Sequence, residues 1–341
     1  MFSRDQPLLH QLPDEVLQDR IITLLPSADQ AAVRRTSKLL YNMSTRPFFR
    51  YLSLSEIPQI VKCCKVLTAK PEFADAVREL IIAGPRRRLD GPLFPSFLRL
   101  FARTVVLLRR VTHLDLNIIV GLAGPVVPSI LSDQCDFPLL RELKLLDMSL
   151  LSPTFLRRHS TIEHLGLRQI LCPCEPPVFD EHRVVVPKLR TFIGPFKLLP
   201  FVIPNSAVYH AGLMCGHILP PLRWVNLMLC LRKSSVPIWV FECHMRAFQK
   251  DMMFAIGDYL PELRVLRLLD KHVWTEPEAR DMLVGLGALK TVLPQLRHLQ
   301  SIELLLVEGP PNLRPNTEQI LGIVSGFGDN CPSLRHMAMC E

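Results

Sequence analysis

Apolar residues recur along this chain with two periods, and the switching between them lays out its elements. From Leu12 to Leu25 the spacing is helical. Leu17, Ile21 and Leu25 fall four apart with Val16 and Leu24 beside them, which gives one apolar face. Pro13 suits a first turn, where its missing N–H costs nothing, and Asp14 and Glu15 sit at the positive end of the helix dipole. Pro26 ends this helix. Ser27 and Gln30 have the spacing of a capping box for a second short helix through Val33, and a third apolar run, Leu39 to Met43, is stopped near Pro47. Three helices this short bury too little apolar surface to stand alone, which implies a partner over part of them.

A helix over Ile57–Thr68 and a shorter one opened by Pro71 follow. From Val77 the period changes to two. Nine segments share one pattern, with apolar residues at the first and fourth positions and, in all but the five-residue Leu189–Ile193, at the sixth: Val77–Ile82, Val111–Leu116, Leu140–Leu145, Ile162–Leu167, Leu189–Ile193, Leu222–Leu227, Leu263–Leu268, Leu299–Leu304 and Leu334–Met339. Between them the spacing predicts helices over 97–110, 244–259, 278–292 and 317–327. Pro138, Pro187, Pro261 and Pro332 each stand two residues before a segment, where proline stops a preceding helix. Strands alternating with helices predict an α/β fold with a parallel sheet on one side and helices on the other. Gly285 with Gly287, and Gly326 with Gly328, read as helix-end punctuation.

The stretch Leu12-Pro13-x-Glu15-Val16-Leu17, Ile21-Ile22-x-x-Leu25-Pro26, Ser37-Lys38 and Pro47-Phe48-Phe49-Arg50-x-Leu52-x-Leu54 resembles an F-box, in particular the fungal form. That resemblance implies a three-helix module over 8–54 that docks on the Skp-type adaptor of a cullin-based (SCF) ubiquitin ligase. Leu12, Pro13, Val16, Leu17, Ile21 and Leu25 match the family's first-helix contact positions. Leu40 stands where many members carry an aromatic residue and fills the same apolar socket. The nine segments resemble the strands of an irregular leucine-rich-repeat array over 77–341, joined to the module by a helical connector over 55–76. The resemblance implies a solenoid with the sheet on its concave side and helices on its convex side.

Composition narrows the function classes. With 48% hydrophobic and 21% charged residues the chain is an ordinary folded protein. Its 40 basic and 32 acidic side chains give a net charge of +8, but the charge is spread thinly and only Arg86–Arg88 and Arg157–His159 cluster. A nucleic-acid partner, which calls for concentrated charge with interleaved aromatics, is not expected. No apolar run reaches the ~20 residues of a membrane helix, there is no cleavable leader, and the ten cysteines have no framework spacing. The expectation is a cytoplasmic or nuclear protein with no membrane association and with reduced, buried thiols.

Catalytic signatures are absent: there is no G-x-S-x-G elbow, phosphate loop or H-E-x-x-H. Cys172 and Cys174 make half a zinc site at best, and His210, Cys215 and His217 fall in a predicted loop with too few donors, so no metal or cofactor is expected. In a strand of this pattern the intervening residues face outward. They include Trp224 and Asn226 on the sixth segment and Val265 and Arg267 on the seventh, and Trp and Arg are enriched at binding hot spots. These four residues are the expected centre of a protein-substrate site. The reading is a non-catalytic substrate receptor of a ubiquitin ligase, with adaptor, cullin scaffold and one unidentified protein as partners. The alternative is a leucine-rich-repeat interaction protein acting outside a ubiquitin ligase.

Overall fold

A computed structural model of the chain describes residues 13, 16–83, 95–117, 130–131, 133–146, 153–167, 186–215, 218–245, 248–270, 276–306 and 317–340. Eleven strands form one sheet in chain order, β1 to β11, and every pair with a described register is parallel. The strands are β1 (Tyr51–Leu54), β2 (Glu79–Ile82), β3 (His113–Leu116), β4 (Glu142–Leu145), β5 (His164–Leu167), β6 (Thr191–Pro195), β7 (His210–Met214), β8 (Val240–Met245), β9 (Val265–Asp270), β10 (Ser301–Leu306) and β11 (His336–Cys340). The longer helices are α1 (Ser27–Val33), α2 (Lys38–Arg50), α3 (Ile57–Ala69), α4 (Pro95–Val106), α5 (Pro221–Leu231), α6 (Lys250–Tyr259), α7 (Glu276–Val292) and α8 (Thr317–Val324). Parallel neighbours need a crossover between every pair, so one strand and one connection make a rung of a solenoid-like α/β fold. The chain divides into two compact units, Met1–Leu143 with Ser149–Phe155, and Lys144–Met148 with Leu156–Glu341.

A rung is built from a turn and a shared carbonyl. Leu140, Leu189, Leu263 and Leu334 each donate a backbone N–H three residues back, at 3.0, 3.1, 3.2 and 3.0 Å. Pro138, Pro187, Pro261 and Pro332 occupy the second position of these turns, where a fixed φ is favourable. Two successive N–H groups then meet one carbonyl of the preceding rung. Trp239 and Val240 meet Tyr209 O at 2.8 and 3.0 Å, and Arg264 and Val265 meet Trp239 O at 2.8 and 2.9 Å. The inward residues stack in register from strand to strand, as Phe192, Ala211, Phe241, Leu266 and Ile302, all buried. Each large side chain of that kind contributes about 1.5–3 kcal/mol of burial.

This geometry corrects the predicted strands in three places. Leu222–Leu227 is not a strand; it lies in α5. Its buried residues, Trp224, Leu227, Met228 and Leu231, are three and four apart, while Leu222 is 72% exposed. Of the three apolar positions that matched the strand pattern only Leu227 is buried; Val225 is half-buried, and the helix buries Trp224 instead. Two strands were hidden by unusual inward residues: β7 reads Val208-x-x-Ala211-x-Leu213 and β8 reads Ile238-x-x-Phe241-x-Cys243. Alanine serves in β7 because Phe192 and Phe241 fill the space on either side of it in register. His244, predicted to start a helix, therefore lies in β8, and His210 lies in β7 rather than in a loop. The first rung is Phe49-x-x-Leu52-x-Leu54: β1 pairs with β2, and Arg78 N–H meets Arg50 O at 2.9 Å. Gly285 and Gly287 lie inside α7 rather than at its end.

The N-terminal helices also depart from ideal spacing. Leu17–Ile21 is a single π turn followed by a 3₁₀ turn, Ile22–Leu24. A π turn aligns residues five apart, so Leu17 and Ile22 are buried together with Met43 while Ile21 faces out. The capping box does not form: Pro26 precedes the first residue of α1, and Gln30 Nε2 instead donates to Leu25 O at 2.9 Å. Ser37 caps α2, its Oγ accepting from Leu40 N–H at 3.2 Å. That helix runs through Pro47 to Arg50, because Pro47 and Phe49 are both buried and hold its last turn in place.

Candidate functional site

Residues between the inward ones line the other face of the sheet, which is half-exposed and polar. In the first unit His113 stands between two carboxylates on adjacent strands, 3.6 Å from Glu79 and 3.5 Å from Glu142. Its Nδ1 also lies 2.9 Å from Thr112 Oγ1. In the second unit the arrangement is reversed, with one carboxylate between two imidazoles. Glu242 is hydrogen-bonded to His244 Nε2 and lies 3.7 Å from His210 Nε2. His210 and His244 hold the Glu242 carboxyl well below the usual carboxylate range, outweighing the burial that pushes it up. The His210 contact is the longer of the two. His210 Nε2 and His244 Nδ1 are buried without a hydrogen-bond partner.

Arg267 lies opposite Glu242 on one side and Glu303 on the other. It forks onto Glu303, with Nε donating to Oε2 at 2.8 Å and Nη2 to Oε1 at 3.2 Å. Gly212, beside Glu242 on β7, leaves room for Ile193: a Cβ there would lie 2.9 Å from Ile193 Cγ1. The centre of this face thus combines apolar residues, Ile193 and Val265, with a run of alternating charge. This arrangement suits recognition of a mixed protein surface.

Of the four residues expected to form the substrate site, the structure brings two together. Val265 and Arg267 share β9 and face outward, half-exposed. Trp224 does not join them. It is 1% exposed on α5, and its Nε1 donates to Gln249 Oε1 at 2.8 Å. Asn226 sits exposed on the same helix, away from the sheet strands. His210, Glu242 and His244 were missed as site residues because their strands lack the leucine pattern. Glu303 lies at an outward position of the predicted segment Leu299–Leu304.

The positions matched to adaptor contacts divide between core and surface. Leu12 lies outside the described residues. Pro13 is exposed, Val16 and Ile21 are each 38% exposed, and Leu25 is half-buried. Leu17 belongs to the small core with Ile22 and Met43, and Leu40 packs against it. Leu24 at 80% and Leu39 at 41% add apolar surface beside them.

Among the described residues no group of three His, Cys, Asp or Glu side chains could hold a metal. Cys215 is buried, whereas Cys172, Cys174 and His217 lie outside the described residues. Cys63, Cys64, Cys135, Cys215, Cys230, Cys243 and Cys331 are free thiols. Burial, with Cys64 alongside, pushes Cys63 up to about 12, and Cys243 is pushed well up by its full burial. No helix among the described residues is long and apolar enough to cross a membrane. The sequence matches no protein-family model and no curated protein.

Proposed function

We propose that this protein is an F-box-type substrate receptor. Its N-terminal helices hold a Skp-type adaptor on a cullin scaffold, and the open sheet face selects a protein for ubiquitination. The observation that carries the reading is the N-terminal surface. Among the described residues, a small core of Leu17, Ile22 and Met43 lies next to Val16, Ile21, Leu24 and Leu39, all exposed. A module with that balance is stabilised by a protein that covers the exposed set. The chain then acts by proximity, raising the effective concentration of substrate lysines near a conjugating enzyme, without a catalytic residue of its own.

On the substrate side the reading centres on Val265 and Arg267 with Glu242, His210 and Glu303, and it leaves out Trp224 and Asn226. The experiment is a pull-down of a purified Skp-type adaptor by the full chain and by Val16→Glu/Ile21→Glu, two exposed positions. The expected result is binding by the parent chain, lost in the variant, with an unchanged melting transition. Failure of the parent chain to bind, or full binding by the variant, overturns the adaptor assignment. Either outcome favours an interaction protein outside a ubiquitin ligase.

A further inference from the structure

The N-terminal helices of the first unit enclose a cavity that shares no lining residue with the sheet face. A cavity of about 460 Å³ opens where α2, α3 and the turn Pro71–Ala74 meet. That volume lies within the range of roughly 300–1,000 Å³ typical of ligand sites. Its floor is apolar, made by Phe49, Val66 and Phe73, with the Phe49 and Phe73 rings stacked at 4.7 Å. Its rim is cationic: Arg34, Lys65 and Lys70 line it, and among the described residues no carboxylate does.

The three cations have no ion-pair partner among the described residues. Arg34 is held by rings alone, its guanidinium carbon 4.8 Å from the Tyr41 centroid, 4.5 Å from Phe48 and 5.4 Å from Phe49. Its Nε is buried and without a hydrogen-bond partner. Lys70 Nζ lies 5.0 Å from the Phe73 ring, and Lys65 is exposed one turn before Ala69. Cations stacked on rings keep their N–H groups for another acceptor. Three positive charges around an apolar floor, with no acid among the described lining residues, complement a ligand that is apolar at its centre and negative on both sides.

We infer that this cavity docks an acidic peptide segment of a partner protein, with one large apolar side chain flanked by carboxylates. The apolar side chain seats on Phe49, Val66 and Phe73. The flanking carboxylates pair with Lys65 and Lys70, and one accepts from the guanidinium of Arg34, which its aromatic bed has already oriented. The site shares no residue with the sheet face, so it operates whether or not the sheet selects a substrate.

The test uses the full chain and three fluorescent peptides, Asp-Glu-Phe-Glu-Asp, Asp-Glu-Ala-Glu-Asp and Lys-Lys-Phe-Lys-Lys, read by anisotropy. The first is expected to bind saturably, and the other two at least tenfold more weakly. The variant Lys65→Glu/Lys70→Glu changes two exposed side chains and is expected to lose tenfold or more for the first peptide while keeping the parent's melting transition. Arg34→Gln is expected to weaken the same peptide in the same sense. The inference fails if the first peptide does not saturate, if the alanine peptide binds equally well, or if the lysine variant binds as the parent does. Complete displacement by an RNA oligonucleotide at equal concentration would reassign the rim to polyanions and overturn it as well.

Discussion

Truncating Trp224 to Ala tests the tertiary arrangement most directly, because strand and helix placements of that residue give opposite results. On an outward strand face the change would spare stability and weaken binding. In the structure Trp224 is 1% exposed on α5, beside α6. Removing a buried tryptophan side chain typically costs about 3–5 kcal/mol through lost burial and the cavity left behind. A hydrogen bond goes with it. Gln249 Oε1 loses the indole donor at 2.8 Å but keeps Leu219 N–H at 3.2 Å, so the carbonyl is not orphaned and adds about 1 kcal/mol or less. Trp224→Phe keeps most of the packing and loses the N–H, and is expected to cost about 1–2 kcal/mol. The assay is urea denaturation of the full chain followed by far-ultraviolet circular dichroism, with peptide and partner binding normalised to folded protein. A loss below about 1 kcal/mol for Trp224→Ala, or a selective binding defect with parental stability, would falsify the helical placement.

Four further outcomes follow from named contacts. Gly285→Ala places a Cβ 2.1 Å from Phe248 O and is expected to destabilise by about 2 kcal/mol or more, although alanine favours helix. Gly287→Ala, in the same helix with nothing within 4 Å, is expected to stabilise by about 0.5–1 kcal/mol; equal effects of the two substitutions in thermal melts would contradict the packing of α7 on Phe248. Glu242 has a folded-state value below its unfolded one, so its contribution to stability is present above the unfolded value, about 4.3, and is lost as pH falls through the folded one. Urea midpoints measured downward from pH 6 should therefore fall more steeply for the parent than for Glu242→Gln, and parallel curves would count against the His210–Glu242–His244 cluster. Arg267→Met is expected to change stability by less than about 1 kcal/mol, since its bond to Glu303 is partly solvated, but to weaken a partner bound at the sheet face; a large loss of stability with intact binding would refute that division.

The sequence alone determined the type of architecture and most of its inward face. Period-two segments with leucine at fixed positions can bury those leucines only on one side of a strand. Eight of the nine predicted segments are strands of the sheet, and Val265 and Arg267 stand on the outward side as their spacing required. Pro138, Pro187, Pro261 and Pro332 were legible as breaks before the strands, and the structure adds that each holds the second position of a turn. Of the three N-terminal helices only the second lies as its spacing predicted; the first is a π turn with a 3₁₀ turn, and the third runs on through Pro47.

Tertiary packing alone decided the rest. Leu222–Leu227 satisfies the strand pattern and the helix pattern equally, and only burial of Trp224 against Gln249 from the next connection selects the helix. Strands β7 and β8 were invisible because Ala211 and Cys243 are adequate inward residues only beside the bulk of Phe192, Phe241 and Leu268 on neighbouring rungs. No local pattern encodes what a neighbour 30 residues away already fills. The face centred on Glu242 was hidden with them, since His210, Glu242 and Arg267 lie on three separate strands and meet only through register. The π turn at Leu17 has a similar origin: a regular helix would have aligned Leu17 with Ile21, but the small core beneath Met43 is closed by Leu17 and Ile22. Local periodicity fixes which residues are candidates for burial, and the volume left by neighbouring rungs decides which of them are buried.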